Sequence, residues 1–339
     1  MANLEEICMR YQAAGLYTHV YASCGFLHDK SPALSFASLP GERTVFDLSS
    51  LTKALVTTPL ALWFCDRSSG DLKGVTLEAL FGRDIVEKVA AGTGGFSLAS
   101  LLRHESGLPA WRNFYVECEG RRQGLEEVIN RSLKGLVGDV RDVYSDVGMI
   151  LLGSLFEKAT NKKLIELWWE VCGASDIKSS RTLTFGAALD SSSAISTGYC
   201  PVRRRDLIGE VHDENCWALG GFTGHAGLFA AGPDVERFLK DLWSSPLGRK
   251  VFDINFAEVN SPGESLMGWR KGRDHSANSF AEGRGCGHLG FTGTAFWVDP
   301  KTKAYAVLLT NRVISGRVST RIKDFRREAF GVMWDCLKK

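Results

Sequence analysis

The sequence predicts an α+β protein: an antiparallel sheet flanked by helices and built from both ends of the chain, with a mainly helical lobe inserted between them. Three observations point there. Strand-like runs lie near the N-terminus and return after about residue 222, helical patterns joined by Gly-containing loops fill the middle, and no repeat, low-complexity segment or linker divides the 339 residues. A chain of this length exceeds the roughly 250 to 300 residues at which one core stops growing, so two lobes are expected. The sheet lobe is assigned to residues 1–60 and 225–339 and the helical lobe to 61–224, with the working cleft between them.

Residues 16–24 (LYTHVYASC) and 33–37 (ALSFA) flank a His-Asp-Lys-Ser-Pro turn and read as a hairpin. The run from Leu51 to Phe64 is apolar except for Lys53 and three threonines, so it reads as a buried helix capped by Ser49 or Ser50 and bent or broken at Pro59. Helical patterns follow at VTLEALF (75–81), SLASLLRHESGLP (97–109), GLEEVINRSL (124–133) and DVGMILLGSLFEKATNKKLIELWWEVC (146–172). HAGLFAA (225–231), ESLMGWR (264–270), GTAFWVD (293–299) and AYAVLLTNRV (304–313) read as strands, interrupted by a helix near Pro233–Trp243. The stretch from Ser319 to Leu337 has helical spacing, with Ile322, Phe325, Phe330, Val332 and Trp334 as its bulky positions.

Composition narrows the class. With 44% hydrophobic and 24% charged residues, 36 glycines and 9 prolines, the chain is an ordinary globular sequence. A net charge of +2 from 41 basic and 39 acidic residues gives no reason to expect a nucleic-acid or membrane partner. The opening MANLEEICMRYQ has two acids and no apolar run, and no segment approaches the roughly 18 apolar residues of a membrane span. Nine cysteines, odd in number and without a C-x-x-C pair, argue for reduced thiols and a cytoplasmic location.

Three short constellations carry candidate chemistry. In FDLSSLTKAL, Ser50 and Lys53 stand three apart on one helix face, close enough to touch one substrate atom. A serine hydroxyl becomes a nucleophile when a neighbour takes its proton, and an amine among Leu51, Ala54, Leu55 and Val56 is desolvated toward its neutral form. The helix start adds N–H donors and a positive dipole end where negative charge develops. Tyr144-Ser145-Asp146 precedes an apolar helix: a tyrosine near a lysine can relay protons, while Asp146 is either a polar site group or simply the helix N-cap. Gly287-His288-Leu289-Gly290-Phe291-Thr292-Gly293-Thr294 leads into a strand, where glycines admit a ligand against exposed N–H groups and His288 offers a donor at the rim.

Together, in this order and at this spacing, the three segments resemble the motif set of the penicillin-binding protein and serine β-lactamase superfamily. LLRHESGLPAW (101–111), GEVHDENCWALGGFTGHAGLF (209–229), GHLGFTGTAFWVDP and LLTNRV extend the resemblance along nearly the whole chain, toward the class C β-lactamase, D,D-peptidase and esterase branch. The resemblance implies a β-lactamase/transpeptidase-like fold. It makes Ser50 the acylated nucleophile, Lys53 its proton partner and Tyr144 the general base, although which of the last two is the principal base is disputed in such enzymes. The N–H groups of Ser50 and Phe291 would form the oxyanion hole, with Asp146, His288, Gly290 and Thr292 meeting substrate.

Two departures bear on specificity. Asp146 stands where many relatives carry an asparagine, and His288-Leu289-Gly290 where efficient β-lactamases carry Lys-Thr-Gly, which removes a fixed cation and a hydroxyl. Potent penicillin hydrolysis is therefore disfavoured against an esterase or a D-amino-acid peptidase. The expected activity is hydrolysis of a small ester, peptide or β-lactam through an acyl-enzyme, with no cofactor. The alternative is a non-catalytic module of the same fold that holds a peptide or cell-wall fragment.

His104, His212 with Asp213, and His225 lack metal-site spacing and are read as loop braces, without a metal. Arg203, Arg204 and Arg205 read as a solvated loop. Trp111, Tyr115, Trp217 and Trp269 are divided between pocket walls and core.

Overall fold

A computed structural model describes residues 3–40, 43–68, 71–117, 143–186, 193–273 and 279–339. The helix expected at 124–133 lies outside the described residues.

A six-stranded antiparallel sheet forms the centre. Its N-terminal strands are β1 (Val20–Phe26) and β2 (Leu34–Ala37), which pair as the predicted hairpin. The small strands β3 (Val45–Asp47), β4 (Thr184–Phe185), β5 (Ser196–Cys200), β6 (Arg205–Ile208) and β7 (Leu228–Ala231) follow. The later part of the chain adds β8 (Arg270–Lys271), β9 (Cys286–Leu289), β10 (Ala295–Val298) and β11 (Ala304–Thr310). The order β2-β1-β11-β10-β9-β8 places β11 beside β1, with Val20 opposite Thr310 and Phe26 opposite Ala304.

The two-residue period of a strand then sorts its side chains between two cores. Ala295, Trp297, Ala304, Ala306 and Leu308 face the terminal helices Leu4–Ala13 and Ile322–Leu337. Phe296, Val298, Tyr305, Val307 and Leu309 face the larger core, which they share with the helices of the chain's middle. Both sheet faces are covered, which is why β11 reads as an unbroken apolar run.

The stretch between residues 61 and 224 holds strands as well as helices: β4 joins β3 and β7 in a three-stranded sheet, and β5 pairs with β6. These strands are short, and the Arg-Asp-Leu-Ile of β6 shows no apolar alternation to read. The strand expected over 264–270 shrinks to Arg270–Lys271, because Gly268 turns the chain at φ +80° and donates its N–H to Leu102 O at 3.1 Å. The long 146–172 pattern divides into helices Asp146–Thr160 and Leu164–Ala174 across Asn161, which is left-handed at φ +53°.

The run after Ser50 departs most informatively from a plain helix. Pro59 does not end it; instead Lys53–Thr57 widens into a π-helical turn before the α-helix Thr58–Arg67. Pro59 has no N–H to give, and the neighbouring carbonyls are served by tryptophans: Trp269 Nε1 donates to Ala54 O and Trp168 Nε1 to Leu55 O, each at 3.3 Å. Trp269 is thus a core residue and not a pocket wall. Trp168→Phe keeps an aromatic ring but removes one of these donors. Urea unfolding is expected to show a loss of about 1–3 kcal/mol, the cost of an orphaned buried carbonyl; an unchanged midpoint would mean that Leu55 O needs no such partner.

Candidate active site

The site begins where β3 ends. Asp47 Oδ1 accepts from Ser49 N (2.8 Å) and Asp47 Oδ2 from His212 N (2.7 Å), which pins the turn after the strand. Burial pushes the Asp47 carboxyl up to about 6, against the pull of those two N–H donors. The next residues swing through Ser49, left-handed at φ +50°, and present Ser50 at the head of the helical run. Neither serine caps it. The Ser49 hydroxyl accepts from Phe291 N at 3.3 Å, and the Ser50 hydroxyl accepts from Lys53 Nζ at 2.8 Å.

Lys53 is fully buried, and its Nζ lies 2.8 Å from Ser50 Oγ, 2.7 Å from Asp146 Oδ1 and 3.2 Å from the His225 carbonyl. Burial alone drives an amine toward its neutral form, as the sequence reading expects. Here burial is the largest single influence, yet Asp146 and Tyr144 together outweigh it and hold Lys53 up at about 12. Lys53 is therefore an ammonium that donates to Ser50, not a free amine waiting for its proton. This corrects the expected desolvated base, and the carboxylate of Asp146 is the reason.

Asp146 is the first residue of its helix and not the cap. Ser145 caps, its Oγ accepting from Gly148 N at 3.1 Å. The 101–111 segment fixes this corner: His104 Nδ1 accepts from Ser145 N (3.1 Å), Pro109 O from Ser145 Oγ (2.7 Å) and Ala110 O from Asp146 N (2.8 Å). Tyr144, next along, has Lys53 Nζ and the Arg270 guanidinium each 5.0 Å from its ring centre, with the His104 ring at 4.5 Å and that of His288 at 6.0 Å. Burial, with Lys53 and Arg270 adding, drives His104 down to about 3, so it is neutral and its Nδ1 is an acceptor.

His288 is buried, which corrects its expected place as a donor at the rim. Burial and the nearby Lys53 and Arg270 push it well below the usual histidine range, so its Nδ1, 2.8 Å from Leu289 O, carries the proton and Nε2 is left as an acceptor. Thr292 is also turned inward. Its hydroxyl donates to Asp47 O (2.7 Å), as that of Thr294 does to Leu48 O (3.0 Å), so it braces the turn before Ser50 instead of meeting a ligand. Gly290 allows this closeness: a Cβ there would lie 2.0 Å from Thr294 Oγ1 and 2.7 Å from Leu48 O.

Two cavities meet at Ser50. One of about 250 Å³ is bounded by Ser49, Ser50, Trp111, Asp146 and Phe291; the other, about 480 Å³, by Ser50, Tyr144, Arg270, His288 and Phe291. Ser50, Asp146 and Phe291 belong to both, so a carbonyl at Ser50 has room for a group on either side. Sequence reasoning missed Arg270, Arg312 and Arg317 as lining groups, because an isolated arginine carries no spacing signal. Arg203, read as part of a solvated loop, is anchored by bonds to Val211 O and His212 O, both at 2.7 Å.

Behind Lys53 stands a second polar layer. Asp213 Oδ1 meets His225 Nε2 (2.9 Å) and Cys216 N (2.7 Å), and His225 Nδ1 meets Thr223 Oγ1 (2.6 Å). Burial pushes the Asp213 carboxyl up, but His225, those hydrogen bonds and Lys53 together hold it far below the usual range. Ligand atoms of Asp146, Asp213 and His225 lie within 4.8 Å of one another. The cation they face is the ammonium of Lys53, already 2.7 Å from Asp146.

A serine at a helix start, bonded to a lysine three residues on and set between a sheet edge and a helical layer, is the arrangement of a serine hydrolase of the penicillin-binding type. The chain belongs to the beta-lactamase family, whose model matches residues 10–329. It is 29% identical over 316 residues to an N-acetylmuramyl-L-alanine amidase of Bacillus subtilis (strain 168), covering 80% of this chain and 68% of that protein. It is 25% identical over 318 residues to a putative D-alanyl-D-alanine carboxypeptidase of Salmonella typhimurium, covering 84% and 73%. Among solved structures, a hydrolase with promiscuous acyltransferase activity superimposes with TM-score 0.66 at 14% identity, covering 97% of each chain. A beta-lactamase/D-alanine carboxypeptidase from Pseudomonas syringae also gives 0.66, at 13% identity, covering 96% of this chain and 97% of that one. These two likenesses concern the fold.

The neutral His104 makes stability depend on pH. Its folded value of about 3 lies below the ordinary 6.5, so the unfolded chain binds its proton first, and the stability this site contributes above pH 6.5 is lost as pH falls toward 3. His104→Gln retains an acceptor for Ser145 N and removes the titration. Urea unfolding at pH 7 and pH 4 is expected to show a smaller acid loss in this variant than in the wild type; equal losses would assign the acid sensitivity elsewhere.

Proposed function

We propose that the protein hydrolyses an amide or ester through an acyl-enzyme on Ser50, with cell-wall-derived peptides as the substrate class. The observation that carries this reading is the 2.8 Å bond from the Lys53 ammonium to Ser50 Oγ at the point where both cavities meet. A binding module would need neither the bond nor the placement. The substrate class draws on the relatives named an amidase and a carboxypeptidase, both acting on amide bonds. The exchange of Lys-Thr-Gly for His288-Leu289-Gly290 supports peptide or ester turnover over efficient β-lactam hydrolysis. The described cysteines form no disulfide with one another, which favours a reducing compartment such as the cytoplasm.

The chemistry follows from the charges. Lys53, held as an ammonium, orients Ser50 and stabilises negative charge on its oxygen during attack. Tyr144 acts as a phenolate: its oxygen takes the serine proton and passes it to the leaving group, and the cations Lys53 and Arg270 stabilise the negative charge that oxygen carries before the proton arrives and after it leaves. The oxyanion forms beside Ser50 N–H at the helix start. A water then gives its proton to the same phenolate oxygen and attacks the acyl carbon, the bond to Ser50 Oγ breaks, and Ser50 recovers that proton.

Ser50→Ala is expected to lower turnover of nitrophenyl esters and D-alanyl peptides by on the order of a thousandfold or more, and to abolish the mass increase left by a fluorophosphonate probe. Retained turnover would reject the acyl-enzyme. Asp146→Asn tests the state of Lys53. Without the carboxylate the ammonium loses its main counter-charge, so the alkaline limb of kcat/KM should move to lower pH. A limb that stays in place would mean that the Lys53 charge is not required.

A further inference from the structure

Ser49 precedes the nucleophile and holds a side chain where the backbone favours glycine, at φ +50°. It is locked there from both sides: Ser49 N donates to Asp47 Oδ1 (2.8 Å), and Ser49 O accepts from Thr52 N (3.1 Å) and Thr52 Oγ1 (2.7 Å). Glycine would adopt this conformation without strain. Strained residues of this kind gather at functional sites, which directs attention to what the hydroxyl does.

That hydroxyl sits on the amide of Phe291, accepting its N–H at 3.3 Å. The resemblance assigns this amide as the second oxyanion donor, but here it is already engaged. Among the described residues, Ser50 N–H donates to no acceptor in the chain, and the Ser49 O–H has none either. Ser49 and Ser50 border the same cavity, together with Phe291. The free donors beside the nucleophile are therefore one amide and one hydroxyl.

We propose that the Ser49 hydroxyl is a catalytic donor to the oxyanion, standing between the Phe291 amide and the substrate oxygen. A hydroxyl that accepts one hydrogen bond is polarised toward giving another, so the Phe291 N–H acts through it. The inference rests on acylation at Ser50. Ser50 Oγ adds to the carbonyl carbon while its proton passes to Tyr144, and the carbonyl π pair becomes a lone pair on oxygen. Ser49 O–H and Ser50 N–H hold that oxygen. When the pair re-forms the C=O bond, the bond to the leaving group breaks and the leaving atom takes the proton from Tyr144; Ser49 keeps its own proton throughout.

The test compares Ser49→Gly, Ser49→Ala and Ser50→Ala on a nitrophenyl ester and a D-alanyl peptide, with melting temperatures measured alongside. Both Ser49 variants are expected to lose kcat on the order of ten- to a hundredfold with KM little changed, as for removal of a transition-state donor. Ser49→Gly should also melt above the wild type, because glycine relieves the left-handed turn; it carries the test if Ser49→Ala fails to fold. Equal or faster turnover in Ser49→Gly, or a change confined to KM, overturns the proposal, the faster case marking Ser49 as an obstruction. Full turnover in Ser50→Ala is a separate failure, that of the acyl-enzyme itself.

Discussion

A buried ammonium facing a carboxylate organises this molecule. Lys53 has no exposure to water, and a charge in that position is tolerated only when it is paired and its protons are used. Asp146 supplies the charge at 2.7 Å, and Ser50 Oγ and the His225 carbonyl supply the remaining acceptors. Three distant segments must therefore meet at one nitrogen. The same pairing sets the charge of the lysine: a carboxylate in place of an amide turns a candidate base into a fixed cation.

Around that nitrogen the scaffold is built to hold one turn still. Asp47 receives two backbone donors, Thr292 and Thr294 clamp the carbonyls of Asp47 and Leu48, and Gly290 lets the strand edge come close enough for both clamps. On the far side, the π-helical turn leaves carbonyls that two indoles complete. Each device satisfies a backbone group that the tight geometry around Ser50 would otherwise strand. Preorganised donors of this kind need little rearrangement when charge appears.

Much of this could be read from residue order. The unbroken apolar run AYAVLLT, the hairpin turn ending at Pro32, and the three polar constellations are local signals that survive without coordinates. What could not be read were the consequences of meeting. Thr292 and His288 looked like ligand contacts because their glycine-rich surroundings suggested an open edge, yet both turn inward, one to brace the nucleophile turn and one to sit neutral behind Tyr144. Arg270 and Arg317 gave no signal, since a lone arginine means nothing until the cavity it borders exists. Asp146 was legible as a departure from its relatives but not as the partner of Lys53.

Residue order carried the fold class, the joining of the two chain ends in one sheet, and the candidacy of Ser50, Lys53 and Tyr144, because apolar patterning and motif spacing are properties of the chain alone. The protonation of Lys53, the neutrality of His104 and His288, and the engagement of the Phe291 amide by Ser49 arise in the folded arrangement. Those depend on burial and on charges brought close from distant positions, and the free energy of a charge is set by its surroundings and not by its neighbours in sequence.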